Sequence, residues 1–172
     1  MSVRLIKPTI GLEHEYLDMI KEWKAQENKL IPWVLGFDAS DFSGLIENLE
    51  NCSKGIGLPE GMVEHSTYWL VNENNKVLGA VNIRHRLNEK LLQSGGHIGY
   101  GIRPSERKKG NASEALRQAL NIARSVGIYS ALVVCDKNNV GSAKTIQKNG
   151  GVLENEVEKD GEVMQRYWID IE

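Results

Sequence analysis

The strongest pattern of apolar and polar positions lies at 111–126. Ala112, Ala115, Leu116, Ala119, Leu120, Ala123 and Val126 recur three and four residues apart with polar residues between them. That spacing predicts an amphipathic helix, and Gly127 supplies its stop. The helix is flanked by Gly96 to Arg103, which reads as a strand, and by Tyr129 to Cys135, a near-continuous apolar run. Such a run suits a strand buried on both faces and lying parallel to the one before the helix, as in a right-handed crossover. Upstream, Val3 to Ile6 predicts a short strand closed by Pro8. Leu12, Tyr16, Met19 or Ile20, and Trp23 share one face of a helix over 12–26. Ile31 to Phe37 is apolar but broken by Pro32 and Gly36, which predicts an ordered loop. Asp38 to Asp41 offers N-caps for a second helix carrying Phe42, Leu45, Ile46 and Leu49. A glycine-bearing connection over 52–65 leads to Ser66–Val71 and Lys76–Arg86, a hairpin turned at Asn72 to Asn75. At the far end, 138–149 predicts a shorter helix stopped by Gly150-Gly151. Val152–Val157 and Val163–Ile171 then pair across Lys159-Asp160-Gly161-Glu162, with Asp-Gly as the turn signal.

The order β, α, α, β, β, β, α, β, α, β, β implies an α/β (α+β) fold, a mixed and mostly antiparallel sheet of about seven strands with helices on both faces. At 172 residues, without repeats or linkers, the expectation is one domain over 1–172. A net charge of −2 gives no whole-molecule argument for nucleic acid or an anionic membrane. No apolar run approaches the ~20 residues of a membrane span. The N-terminal stretch lacks a signal-peptide core. Cys52 and Cys135 belong to no CxxC or Cys/His cluster, so neither a disulfide framework nor a metal site is expected. A soluble cytoplasmic protein is the simplest expectation.

Charge matters locally. Arg107-Lys108-Lys109-Gly110 falls between a strand and the N-terminus of the main helix. Free backbone N–H groups and the helix dipole make that junction an anion site. Cations there oppose the dipole, which argues for a bound anion. A Walker loop needs GxxxxGK[ST], which the chain lacks. A Rossmann fingerprint needs a third glycine after Gly99 and Gly101 and an acidic residue further on, and neither is present.

Arg107-Lys108-Lys109-Gly110-Asn111-Ala112 does resemble the (Q/R)xxGx(G/A) loop of the GNAT acetyltransferases. Ile102-Arg103-Pro104 is similar to that family's strand ending. Asn139-Val140-Gly141-Ser142, followed by Ile146, Lys148, Asn149 and Gly150, resembles its Asn helix and closing Lys-x-Gly. The resemblance covers the whole chain and is specific over about 97–151. It implies acetyl-CoA as co-substrate, with no metal, and transfer of acetyl to an amine of a small molecule or protein. It also allows a homodimer. By the same resemblance, the strands at 97–103 and 129–135 splay and the pantetheine arm lies between them, pairing with main chain at Gly101, Ile102 and Arg103. The N–H groups of Lys108 to Ala112 would cradle the pyrophosphate while Arg107 and Lys109 neutralise it. Gly110 lets backbone approach phosphate. Asn139 and Ser142 are expected at the cofactor, although Asn139 also reads as a plain helix cap.

The chemistry is less complete. Where many members carry a Tyr acid this chain has Ile146, and Ser142 and Thr145 are weak acids that can only hydrogen-bond the sulfur. Solvent can protonate a thiolate whose pKa is ~8.5. Where many carry a Glu base this chain has His97, whose ordinary pKa of ~6.5 suits the role. Glu64, Tyr68, Trp69 and His85 are further candidates for the acceptor side, whereas His14 and His65 carry no supporting pattern. Cys135, in a buried strand, argues for direct attack in a ternary complex over an acetyl-cysteine intermediate. A binding module that holds acyl-CoA without turnover is the alternative.

Overall fold

The computed structural model describes residues 2–27 and 29–171. Its elements are β1 (Val3–Ile6), α1 (Glu13–Gln26), α2 (Phe42–Ser53), β2 (His65–Asn72), β3 (Val77–Arg84), β4 (Ile98–Ile102), α3 (Asn111–Ser125), β5 (Ser130–Asp136), α4 (Val140–Lys148), β6 (Val152–Lys159) and β7 (Glu162–Asp170). This is the predicted order. The second helix runs further than its apolar spacing suggested, because Cys52 is buried on its last turn.

The strands form two sheets. β1-β2-β3-β4 is antiparallel throughout, and β5-β7-β6 is the second block. The Asp160-Gly161 turn joins β6 to β7 with both residues at positive φ, 52° and 82°, as a two-residue hairpin requires. The blocks meet where β4 and β5 begin. The His97 N–H donates to the Leu132 carbonyl at 2.7 Å, and the Leu132 N–H donates to His97 Nδ1 at 2.9 Å. Beyond that point no main-chain bond joins β4 to β5 among the described residues.

Two cores flank the first sheet. On one face the α3 stripe of Ala115, Leu116, Ala119, Leu120 and Ala123 is buried against Leu78, Val81, Ile83, Ile98 and Ile102. Full burial of each large side chain there contributes roughly 1.5–3 kcal/mol. On the other face α1 and α2 bury Tyr16, Met19, Trp23, Leu45 and Leu49 against Trp69, Val71 and Ala80. Tyr16 stacks on Trp69 at 4.6 Å. The outer edge of β1 is covered by Gln118 of α3, which accepts from the Leu5 N–H and donates to the Val3 carbonyl. No helix among the described residues is long and apolar enough to cross a membrane.

Candidate active site

Gly110 caps α3 with φ +83°, and Lys108 before it also sits at positive φ, 61°. No side chain caps this helix. The main-chain N–H groups from Lys108 to Ser113 have no acceptor among the described residues. They form a fan of donors at the positive end of the helix dipole, which suits a pyrophosphate. The cations are arranged differently from the sequence expectation. Arg107 lies over the Trp23 ring at 5.4 Å, donates to the Ile102 carbonyl at 2.8 Å and pairs with Glu27. Lys109 leans on Glu106, which Lys76 also holds at 3.0 Å. Burial raises the Glu106 carboxyl pKa, but the two lysines outweigh it and keep the group ionised. Lys108 pairs with no carboxylate among the described residues and is exposed at the mouth of the fan.

The β4 edge facing β5 can be read from its register. The Arg103 N–H bonds the Leu78 carbonyl and the His97 carbonyl accepts from the Arg84 N–H. In an antiparallel ladder the intervening odd positions therefore turn their main chain toward β3. The N–H groups of Tyr100 and Ile102 face the gap, and neither has a main-chain acceptor among the described residues. The expectation that Gly101 and Arg103 main chain would meet the pantetheine thus shifts by one residue. The Arg103 side chain also turns away, 2% exposed, to bind Asp18 and Glu22 of α1 and the Val77 carbonyl.

Across the gap, the Tyr100 hydroxyl meets Ser142 Oγ at 2.8 Å. Ser142 lies in the first turn of α4, whose N-cap Asn139 accepts from the Ser142 N–H at 3.0 Å. Asn139 is therefore a cap in this geometry. Burial pushes the Tyr100 hydroxyl well above its usual range, and pushes the neighbouring Cys135 thiol up to about 11, against thiolate formation. Ile146 is fully buried, part of the α3-side core. Asn149 fixes the end of α4 to α3, donating to the Ser113 carbonyl at 3.2 Å.

A strand edge with unpaired N–H groups thus leads to an uncapped helix start. A sequence profile described as an acetyltransferase (GNAT) domain matches residues 13–152. The chain belongs to the GNAT acetyltransferase family. No curated protein sequence matches it. Among solved structures it is similar to the microcin C7 self-immunity acetyltransferase MccE in complex with acetyl-CoA and AMP, with TM-score 0.71 at 19% identity, covering 98% of this chain and 92% of that one. It is similar to RimL, the ribosomal L7/L12 α-N-protein acetyltransferase in complex with coenzyme A, with TM-score 0.70 at 15% identity, covering 99% and 95%. A spermidine N-acetyltransferase SpeG chimera from Vibrio cholerae and hSSAT has TM-score 0.64 at 15% identity, covering 99% and 96%. At these identities the likeness establishes the shared fold.

Within this GNAT fold His97 closes the seam. Its Nδ1 lone pair accepts from Leu132, so the neutral ring carries its proton on Nε2 and has no free lone pair facing a substrate. Burial, and then Arg84, lower its pKa to about 4. His65 is lowered to about 4 by burial and by Arg84 and His85. Of the other candidates, Trp69 is core, Glu64 pairs with Arg86, and His85 bonds Ser66 at 2.8 Å. Tyr68 lines a separate pocket of about 580 Å³ with α2 residues. Sequence reading overlooked Tyr100 and Arg84. The signal for Tyr100 was available, because a tyrosine stands between Gly99 and Gly101 on the strand that leads into the anion loop.

Depressed histidines carry a pH signature. Between about pH 4 and 6.5 the unfolded chain binds more protons at His65 and His97 than the folded one, so stability rises with pH there. Thermal melts should show full stability above about pH 6.5 and a loss on the order of 1–2 kcal/mol per ring by pH 5. His97→Gln should flatten this dependence in part. An unchanged profile in that variant would show that the ring does not titrate with folding.

Proposed function

We propose that the protein is an acetyl-CoA-dependent N-acetyltransferase in which an amine attacks the thioester directly in a ternary complex. The observation that carries this reading is continuous. The inward N–H groups of Tyr100 and Ile102 lead to the uncapped N–H fan of Lys108 to Ser113. Acetyl-CoA would supply an activated acetyl group. The fan and Lys108 would hold its pyrophosphate, and the β4 edge would donate to its pantetheine and thioester oxygens. Ser142, held by Tyr100, offers a hydroxyl at the gap for the departing sulfur, taking the place of the Tyr that Ile146 replaces. His97 holds the seam in this reading, and the amine gives its proton to solvent. The high thiol pKa of Cys135 supports direct attack. The solved relatives named above for a ribosomal protein and for spermidine span protein and polyamine acceptors, so family membership leaves the acceptor open.

The test is thiol release from acetyl-CoA across an amine panel, beside calorimetry with CoA. Turnover with at least one amine supports transfer. CoA binding without thiol release on any amine supports the sensor alternative, for which the buried Ile146 is the motive. Absence of CoA binding removes both. Tyr100→Phe should lower kcat about tenfold, the loss of one hydrogen bond of roughly 1 kcal/mol that orients the Ser142 hydroxyl, and leave CoA affinity unchanged. An unaltered kcat would remove the hydroxyl pair from the chemistry.

A further inference from the structure

The face of the first sheet toward α1 and α2 is apolar over most of its length and polar at the closed end of the seam. There His65, Thr67, Asn82, Arg84 and His97 come together. The Arg84 guanidinium lies over Gly99, where an added Cβ would be 3.1 Å from Nη2. Its single hydrogen bond among the described residues runs from Nη1 to the Gly95 carbonyl at 3.3 Å, and it has no carboxylate partner there. Elsewhere the chain supplies acids for its buried guanidinia: Arg103 has Asp18 and Glu22, and Arg166 has Glu154. Burial pulls the Arg84 pKa down to about 10, and its charge depresses both His65 and His97.

The two histidines add donors. His65 Nδ1 faces the Asn82 amide nitrogen at 2.9 Å, and Asn82 Nδ2 also donates to Thr67 at 3.2 Å. The neutral His65 ring therefore carries its proton on Nε2, which is buried and unpartnered. His97, with Nδ1 held by Leu132, likewise keeps its proton on Nε2. Trp33, 43% exposed on the 31–37 loop, packs on the His65 ring. A guanidinium with one carbonyl acceptor and no carboxylate thus lies on β3 between two imidazole N–H groups that have no acceptor among the described residues, His65 on β2 and His97 at the head of β4, while Asn82 Oδ1 is an unpartnered acceptor in the same patch.

We infer that the acceptor amine carries a carboxylate, and that Arg84, flanked by His65 and His97, binds that carboxylate. The inference rests on the acetyl-transfer reading above. A planar guanidinium matches a carboxylate in a two-point contact, and one cation balances one negative charge where a phosphate dianion would be left undercompensated. Gly99 neighbours Tyr100, whose N–H faces the gap, so a carboxylate held at Arg84 keeps the attached amine beside the strand that positions the thioester.

The test compares kcat/KM for the L-amino acids with the matching amino-acid amides, with spermidine, and with O-phosphoethanolamine against ethanolamine. At least one free amino acid should exceed its amide by tenfold or more. Arg84→Gln should erase that preference while CoA affinity and melting temperature are maintained. A preference for amides, spermidine or the phosphate ester overturns the proposal, as does an equal fall on every amine in Arg84→Gln. A readout without turnover separates this from failure of the transfer reading. N-acetylglycine should shift the imidazole NMR signals of His65 and His97 in the CoA-loaded protein and N-acetylglycinamide should not. If no amine is acetylated but that difference is seen, the anion site stands and the transfer reading falls. Without the difference, the anion site falls.

Discussion

Gly110→Glu is expected to lower CoA affinity at least ~100-fold while the protein remains folded. At φ +83° any L side chain is strained, by roughly 1–2 kcal/mol, but an added Cβ meets nothing within 4 Å. The fold therefore tolerates the change. The new carboxylate would sit at the head of α3 among the N–H groups of Lys108 to Ser113, accept from them, and repel a pyrophosphate. Losing two charge-assisted hydrogen bonds at about 1.5–3 kcal/mol each accounts for that fall. Of the side-chain cations only Lys108 is left to compensate, because Arg107 is engaged by Glu27 and the Ile102 carbonyl and Lys109 by Glu106, and one exposed lysine does not replace the N–H fan. By the same argument Arg107→Ala should cost less CoA affinity than Gly110→Glu. Calorimetry with CoA, beside a melting curve, decides the matter. Affinity near the parent value in a folded Gly110→Glu protein would mean that the pyrophosphate lies elsewhere.

The elements were legible because their signals are local. The α3 stripe is a run of small and large apolar residues at helical spacing, and all five of its central positions are buried. The Asp160-Gly161 turn and the Asn139 and Asp41 caps are likewise written in a few neighbouring residues. The loop at 107–112 was legible as an anion site, because glycine at a helix start leaves N–H groups free whatever surrounds it. What the surroundings do to its side chains was not. Arg107, which looked available for phosphate, reaches Glu27, and Arg103 reaches Asp18 and Glu22, pairings far apart in the chain that tie α1 and its C-cap to the end of β4 and the loop after it. His97 looked like a base because its ordinary pKa is near neutral. The Leu132 N–H and the charge of Arg84 change that, and neither is adjacent in sequence. The polar patch under Arg84 escaped for a related reason. Alternation puts Asn82 and Arg84 on one face and the hairpin puts β2 beside β3, but neither fixes the register that sets His65 opposite Arg84 nor brings His97 and Gly99 alongside.

Gly101→Ala should destabilise the protein strongly, whereas Gly99→Ala should leave stability nearly unchanged and disturb the acceptor side. Both glycines lie on β4 and face α1 and α2. A Cβ on Gly101 would stand 2.1 Å from the Ile31 carbonyl oxygen and 2.9 Å from the Trp23 ring. One obstacle is backbone and the other belongs to a tryptophan that is 1% exposed, so neither can step aside. The 31–37 loop must lift from the strand, at a cost of about 3 kcal/mol, near the upper end for overpacking. In a chain of this size that corresponds to a melting temperature lower by roughly 6–12 °C. A Cβ on Gly99 meets only the guanidinium of Arg84, at 3.1 Å, and a side-chain end can swing away. The strand and its core should persist. What moves is Arg84, together with the donors it shares with His65 and His97, so Gly99→Ala should reproduce part of the Arg84→Gln loss of preference for carboxylate-bearing amines with CoA binding intact. If the two alanines lower the melting temperature equally, the Ile31 contact is not what requires glycine at 101. If Gly99→Ala leaves acceptor preference untouched while Arg84→Gln abolishes it, the guanidinium binds its carboxylate from a position that does not depend on Gly99.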